Sequence, residues 1–395
     1  MNICHTTEFF FPEEGGVERH IYYLSQEMFS RSKNFNISVI TSNRTHTGAI
    51  ITPKTEKIAG IDVYREKTLL QLHFWNYFPS TVKRLEEIMP DIVHAHAYRH
   101  PHVALSAKFA NKHKKKFVFT PFAIFPKSAE LPLTNKMYYP IYDTFFLKSI
   151  FKKADAVIAL THFEKDELIK HGVDENKISV IPCGGYSFEP IKESTLPESD
   201  LNKLFNDNKD KFIIGALSRI HPSKGLDVLI KALAEIKDEH FIFIFGGKDF
   251  GCLNYVLELA KKLGIEDKVK YLGYINKYKK QFYDGLDLFV SPSKAEALGM
   301  TLVEAQACGV PVIGSNFGPI KETMLDNITG YLVNYGDYKT LAAKIKELIH
   351  NDNKRKEFAV NAKKRASYFS WKEITDCILK VYTGEKTDLY AKIKL

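Results

Sequence analysis

The feature that most constrains this chain is a rhythm. Short, β-rich apolar runs recur between amphipathic helical stretches, and they do so in two successive series. The first series occupies residues 37–40, 91–94, 117–120, 156–159 and 178–181; the second occupies 212–215, 241–245, 269–272, 287–290 and 310–313. Apolar strands alternating with helices of this length are the pattern of βαβ units, whose parallel sheet must be covered on both faces. The expected fold class is therefore α/β, with two doubly wound, Rossmann-like domains.

Between the series lies Pro182-Cys183-Gly184-Gly185-Tyr186, followed by a polar stretch from Glu189 to Asp210 that reads as linker. This predicts a first domain at 1–185, a second at 186–366 and a closing helical segment at 367–395. With 395 residues the chain exceeds the size at which one hydrophobic core stops growing, which agrees with two domains. In doubly wound sheets ligands bind beyond the carboxyl ends of the strands, so two such domains are expected to face each other across a cleft. The last segment is helical and charged, with Ser370 placed to cap a helix and Glu373 placed to complete a capping box.

Composition narrows the function classes. A 45% hydrophobic and 26% charged sequence is that of a folded domain, and no run reaches the roughly 18 apolar residues of a membrane span. The start of the chain has no basic, then apolar, leader pattern, which predicts a cytoplasmic protein. Five scattered cysteines without a Cys-x-x-Cys pair predict buried thiols, with neither a disulfide framework nor a zinc site. The net charge of +9 is spread over both halves and forms no single stripe, so anionic small ligands or a membrane surface are expected before nucleic acid. Lys108, Lys112, Lys114, Lys115 and Lys116 read first as a solvated helix end, with peripheral contact at the inner membrane face as the competing reading. The aromatic stretch at 137–151 reads as core packing at helical spacing.

Two loops carry candidate chemistry. The strand at 212 runs into Ser218-Arg219-Ile220-His221-Pro222-Ser223-Lys224-Gly225, which puts two permanent cations at the mouth of a strand. A diphosphate suits that arrangement, since Arg219 can grip it bidentately while Lys224 adds a point charge. The strand at 287 runs into Ser291-Pro292-Ser293-Lys294-Ala295-Glu296-Ala297-Leu298-Gly299-Met300-Thr301-Leu302-Val303-Glu304. There two carboxylates flank a glycine turn, and glutamates accept hydrogen bonds from sugar or ribose hydroxyls. Each loop alone also fits an ordinary surface connection.

Taken together, these loops resemble those of the retaining family-4 glycosyltransferases, relatives of sucrose-phosphate synthase and bacterial mannosyltransferases. The resemblance extends to Gly15-Gly16-Val17-Glu18-Arg19-His20, to Asn316-Phe317-Gly318-Pro319-Ile320-Lys321-Glu322, to Asn327-Ile328-Thr329-Gly330-Tyr331-Leu332-Val333 and to the Trp371 segment, so it spans nearly the whole chain. It implies the GT-B fold, with a C-terminal helix crossing back onto the first domain. It also implies transfer of a hexosyl group from a UDP- or GDP-sugar, with retention, to a glycan, glycolipid or lipid-linked acceptor bound by the first domain. By that resemblance Arg219 and Lys224 hold the diphosphate, Glu296 meets the donor sugar, Glu304 meets the ribose, and Leu298 and Gly299 contribute backbone contacts. Arg219, Lys224 and Glu296 would carry catalysis, and the Gly15-Gly16 loop would close on the donor.

Catalysis of that kind needs positioning and cations at the leaving phosphate, and no protein nucleophile. The sequence has no Asp-x-Asp triplet after a strand, so neither a metal nor another cofactor is expected. One position departs from the family's pattern: Thr120-Pro121-Phe122-Ala123 puts phenylalanine where the family often has histidine. His96, with His100 and His102, is a candidate replacement, and Phe122 and His96 are assigned to the acceptor side. His94 and His96 alternate along a strand end and so point to one face, which suits packing or acceptor contacts better than a metal. The competing functions are an epimerase or hydrolase of the same fold and a sugar-nucleotide-binding protein without transferase activity.

Overall fold

A computed structural model describes residues 1–13, 15–72, 75–122, 142–183 and 197–392. The chain divides into two compact units, Met1–Gly184 with Trp371–Lys392, and Gly185–Ser370.

The first unit contains strands β1 (Asn2–Thr6), β2 (Asn36–Ser42), β3 (Thr55–Ile58), β4 (Ile61–Glu66), β5 (Leu70–Leu72), β6 (Trp75–Tyr77), β7 (Ile92–His96), β8 (Lys116–Thr120), β9 (Ala156–Ala159) and β10 (Ile178–Val180). Eight of them form one sheet in the order β10-β9-β8-β7-β1-β2-β4-β3, while β5 and β6 make a separate antiparallel ribbon. All neighbours in the large sheet run parallel except β3 against β4. From β1 the chain winds outward through β2 and β4, then returns to β7 and winds the other way, so the order reverses between β1 and β7.

The second unit contains β11 (Phe212–Leu217), β12 (Phe241–Gly246), β13 (Val269–Tyr271), β14 (Leu288–Ser291), β15 (Val312–Ser315) and β16 (Gly330–Val333). They form a fully parallel sheet in the order β13-β12-β11-β14-β15-β16, the Rossmann winding, which reverses between β11 and β14. Residues 212–217 and 241–246 are buried without exception, as strands covered on both faces must be. Phe243, Phe245, Leu229 and Phe358 sit in the core on one face, and Ile244, Phe289, Leu302 and Tyr283 sit in the core on the other.

The last long helix, Trp371–Thr383, belongs to the first unit. Its Trp371 ring lies 5.7 Å from His20 and 5.5 Å from Tyr23 on helix Gly16–Arg31. Arg31 Nη1 donates to Asp376 at 2.5 Å, and the buried Tyr382 hydroxyl lies 2.7 Å from His94 Nδ1 on β7. The α/β class, the two Rossmann-like sheets and the C-terminal helix on the first domain are thus the architecture observed.

The structure corrects some expectations. Within the polar stretch read as linker, Glu198–Asp207 is a helix that buries Leu201, because a start after Pro197 with Glu198 and Asp200 in the first turn suits helix initiation. The hinge at residues 184–186 and residues 137–141 of the aromatic stretch lie outside the described residues. From Tyr142 onward that stretch packs Tyr142, Leu147, Ile150 and Phe151 into the core. Cys4, Cys183 and Cys377 are buried thiols, whereas Cys252 and Cys308 are only half-buried. Among the described residues no helix is long and apolar enough to cross a membrane.

Candidate functional site

At the reversal point of the second sheet, the loops after β11 and β14 lie against each other. Gly225 adopts φ +66, and a Cβ there would stand 2.1 Å from the Pro292 carbonyl oxygen, so only glycine allows the approach. Lys294 N donates to Ser223 O across the same seam at 2.8 Å. The consequence is a contact between the two candidate loops: Lys224 Nζ donates to Glu296 Oε1 at 2.5 Å, and Ser293 Oγ donates to the same oxygen at 2.9 Å. Lys224 is nearly buried and Glu296 partly so, hence the pair is sheltered enough for its charges to matter.

Arg219 is the exposed member of the set, with its guanidinium 5.5 Å from the centre of the Phe250 ring. A cation stacked on an aromatic and facing solvent is available to an anion. His221 lies between the two cations, and burial together with their charge pushes its imidazole below the ordinary histidine range.

Gly299 opens helix Met300–Ala307 with φ +90 and no side-chain cap. The first amides of that helix therefore have no capping side chain at the carboxyl edge of the sheet. Leu298 is buried and its carbonyl accepts from Thr323 Oγ1 at 2.5 Å, which pins the turn. Glu304 lies one turn into the helix, 1% exposed. Lys279 Nζ donates to both its oxygens, at 2.9 and 3.1 Å, and the Tyr283 hydroxyl donates at 2.8 Å. Glu296 and Glu304 thus have different partners and different surroundings.

Sequence reasoning missed Lys279 and Tyr283. They lie four residues apart on helix Lys279–Asp284, and that spacing was the available signal that both reach one neighbour.

In the first unit, Gly15 precedes helix Gly16–Arg31 in extended backbone, and nothing lies within 4 Å of where a Gly16 side chain would start. Phe122 follows β8 with φ +51, a left-handed conformation that costs a non-glycine residue about 1 kcal/mol or more. Its ring lies 5.4 Å from His20 and 6.0 Å from His96. Ala97 and Arg99, after β7, also have positive φ, so strain gathers at the carboxyl ends of β7 and β8.

His5, His94 and His96 are fully buried on one face of the sheet, with one ligand atom from each within 4.8 Å of the others. They are engaged as a hydrogen-bond network: His5 Nδ1 lies 2.9 Å from His96 Nε2, and His94 spans Tyr382 OH and Thr120 Oγ1 at 2.7 Å each. Both nitrogens of His94 are thus occupied, whereas the buried His5 Nε2 and His96 Nδ1 have no hydrogen-bond partner among the described residues. Burial pushes the imidazoles of His5 and His20 down to about 3, and those of His94 and His96 well below the usual range.

A second cluster lies where the first sheet reverses. The buried Glu8 carboxylate, past β1, is 2.8 Å from His100 Nδ1 and 3.5 Å from His102 Nδ1. Burial opposes the charge on Glu8, yet the two imidazoles hold its carboxyl below the ordinary range. Glu8 carries no local signal in the sequence, because its partners are 92 and more residues away in the chain.

Two known protein families match the two units of the chain. The profile of the family described as Glycosyltransferase Family 4 matches residues 14–184, and that of Glycosyl transferases group 1 matches residues 199–365. The chain belongs to glycosyltransferase family 4. A relative from Xylanimonas cellulosilytica, a D-inositol 3-phosphate glycosyltransferase, is 29% identical over 237 residues, 58% of this chain and 57% of that protein. One from Mycolicibacterium smegmatis with the same name is 28% identical over 62% of this chain and 56% of its own length. The match thus spans little more than half of these curated relatives. Among solved structures, Anabaena HepE in complex with UDP-glucose superposes with a TM-score of 0.74 at 23% identity, covering 98% of this chain and 100% of that one. A glycosyltransferase from Rickettsia africae gives 0.73 at 24% identity over 97% of each chain. These likenesses establish the GT-B fold.

Proposed function

We propose that this family-4 protein is a retaining hexosyltransferase that takes its sugar from a nucleotide diphosphate donor, with UDP-glucose the first donor to test. The observation that carries the reading is the meeting of Lys224 and Glu296 at the reversal point of the second sheet, beside the exposed Arg219 and the helix opened by Gly299. Arg219 and Lys224 hold the diphosphate, Leu298 and Gly299 present backbone to it, Glu296 meets the sugar and Glu304 the ribose. The Gly15-Gly16 loop contributes from the first unit, which binds the acceptor.

The chemistry assigned to these groups is simple in outline. The bond between the anomeric carbon and the diphosphate oxygen breaks, a bond forms from the acceptor hydroxyl oxygen to the same face of that carbon, and the hydroxyl proton leaves with the diphosphate. Lys224 and Arg219 stabilise the charge that grows on the departing phosphate. The acceptor is a hydroxyl on a glycan, a glycolipid or another lipid-linked molecule.

Calorimetric binding of UDP and UDP-glucose tests the donor site. Lys224→Ala is expected to weaken UDP binding roughly 10- to 150-fold, the equivalent of about 1.5–3 kcal/mol for a charge-assisted contact. Equal affinity in parent and variant would falsify the assignment.

A further inference from the structure

Lys279 and Tyr283 reach Glu304 from the helix that precedes β14, whereas Glu304 stands on the helix that follows it. The three side chains thus tie together the two connections of β14, one of the strands at which the second sheet reverses. Their setting is apolar. Tyr283 is fully buried, with its ring 5.5 Å from Phe282 and 5.4 Å from Phe289 on β14, and Leu302 belongs to the same core. Lys279 is 8% exposed.

An ion pair in such surroundings is a poor source of stability. Both charges give up hydration to form it, and apolar side chains of similar volume hold a fold about as well. What the pair does supply is orientation. Lys279 Nζ spans the two carboxylate oxygens, and the Tyr283 hydroxyl, fixed by its packed ring, donates to Oε2. A carboxylate gripped at both oxygens is held against rotation about its last bond, and in an apolar setting each of those contacts is stronger than in water. Glu296 is held differently, since Lys224 and Ser293 both donate to its Oε1.

A fixed acceptor can select. An ionised carboxylate accepts at both oxygens, and a ribose presents two adjacent hydroxyls to it where a 2′-deoxyribose presents one. A site built to bond a hydroxyl rejects the analogue that lacks it, because its own buried group is then left unmatched. We propose that Lys279 and Tyr283 are positioning residues which, by fixing the Glu304 carboxylate, make the donor site select ribonucleotides over 2′-deoxyribonucleotides. The inference rests on the donor reading above, in which Glu304 meets the ribose.

The test is the calorimetric affinity of the full-length protein for UDP against 2′-deoxy-UDP and for GDP against 2′-deoxy-GDP. With the base that binds, the parent should prefer the ribonucleotide roughly tenfold or more, as expected of one hydrogen bond to a charged group. Tyr283→Phe keeps the packed ring and should cut that preference roughly threefold, while Lys279→Met should nearly abolish it. Glu304→Gln should lower it as well, and adding Tyr283→Phe to that variant should change it no further, because the phenol acts through Glu304. Urea midpoints report the folding of every variant, and Tyr283→Phe alone decides if Lys279→Met does not fold. A purely structural role lowers the midpoint, or both affinities by one factor, and leaves the preference where it was. The proposal is overturned if Tyr283→Phe keeps the parent's preference, or if it shifts the preference as much in Glu304→Gln as in the parent. A parent that binds a ribonucleotide and its deoxy form alike also overturns it and leaves the donor reading standing. A parent that binds none of the four nucleotides overturns the donor reading too.

Discussion

Lys279 Nζ lies 2.9 and 3.1 Å from the two carboxylate oxygens of Glu304, and the Tyr283 hydroxyl closes on one of them at 2.8 Å. Both charged side chains are at least nine-tenths buried, so each depends on the other for the hydration it gave up. Lys279→Met removes the cation beside a buried carboxylate and should cost about 3–5 kcal/mol in urea unfolding. Adding Glu304→Leu should recover most of that loss, since replacing a buried ion pair by apolar side chains is often close to neutral. If the double variant is no more stable than the single one, Lys279 acts through packing and not through its charge.

The two glutamates should separate kinetically. If Glu304 contacts the ribose as proposed, far from the breaking bond, it contributes nearly the same binding to ground state and transition state, so Glu304→Gln should chiefly raise donor KM. If Glu296 meets the sugar as proposed, Glu296→Ala should lower kcat by about 30- to 1000-fold, which is roughly 2–4 kcal/mol. Initial rates with donor varied at saturating acceptor decide between them. The reverse pattern, with kcat collapsing only for Glu304, means the roles are exchanged.

Acid should unfold the first unit early. His5, His20, His94 and His96 are buried with their imidazoles held below the ordinary range, chiefly by burial; for His5 and His20 the value is about 3. Above about pH 6.5 these groups are neutral folded or unfolded, and their contribution to stability is fully present. As pH falls below about 6.5, the unfolded chain takes up protons that the folded chain refuses, so stability drops; for His5 and His20 the loss continues toward about pH 3, at roughly 1 kcal/mol per pH unit each. The urea midpoint should therefore fall steeply between pH 7 and 5, and His96→Asn should make the slope shallower. A midpoint that stays level over that range contradicts the assignment.

Phe122 is expected to form part of the acceptor wall, because its strained backbone turns the ring onto His20 and His96 at the carboxyl end of β8. Phe122→Leu should reduce acceptor turnover roughly tenfold through misplacement, with UDP affinity unchanged. Should turnover stay level while the unfolding midpoint drops, the ring belongs to the core.

Much of this was legible because burial on both faces writes a strand as an unbroken apolar run. Residues 212–217 and 241–246 declare themselves in that way, and the motif after β14 is contiguous, so Gly299, Glu296 and Glu304 could be read together. Strand β1 could not, because its Asn2-Ile3-Cys4-His5-Thr6 is buried yet half polar, its histidine hydrogen-bonded through Nδ1 to His96 on the neighbouring strand β7. Strands β3, β5 and β6 escaped for a related reason. They lie at an edge or in a ribbon and carry mixed side chains. The ion pair between Lys224 and Glu296 joins residues 72 apart, and the one between Lys279 and Glu304 joins residues 25 apart. Such pairings follow from the winding of the sheet, which no local spacing encodes.

The return of helix Trp371–Thr383 to the first unit bears on how the protein is made. Val180 on β10 bridges to Asp388, Tyr390 OH donates to Leu160 O at 3.0 Å, and Tyr382 reaches His94 over 288 residues of chain. A ribosome that has finished β10 has therefore not yet supplied the pieces that close the first unit, whereas the second unit is an uninterrupted stretch of chain up to Ser370. The first unit therefore closes only once residues 371–392 have been made, because the hydroxyl that His94 requires belongs to Tyr382.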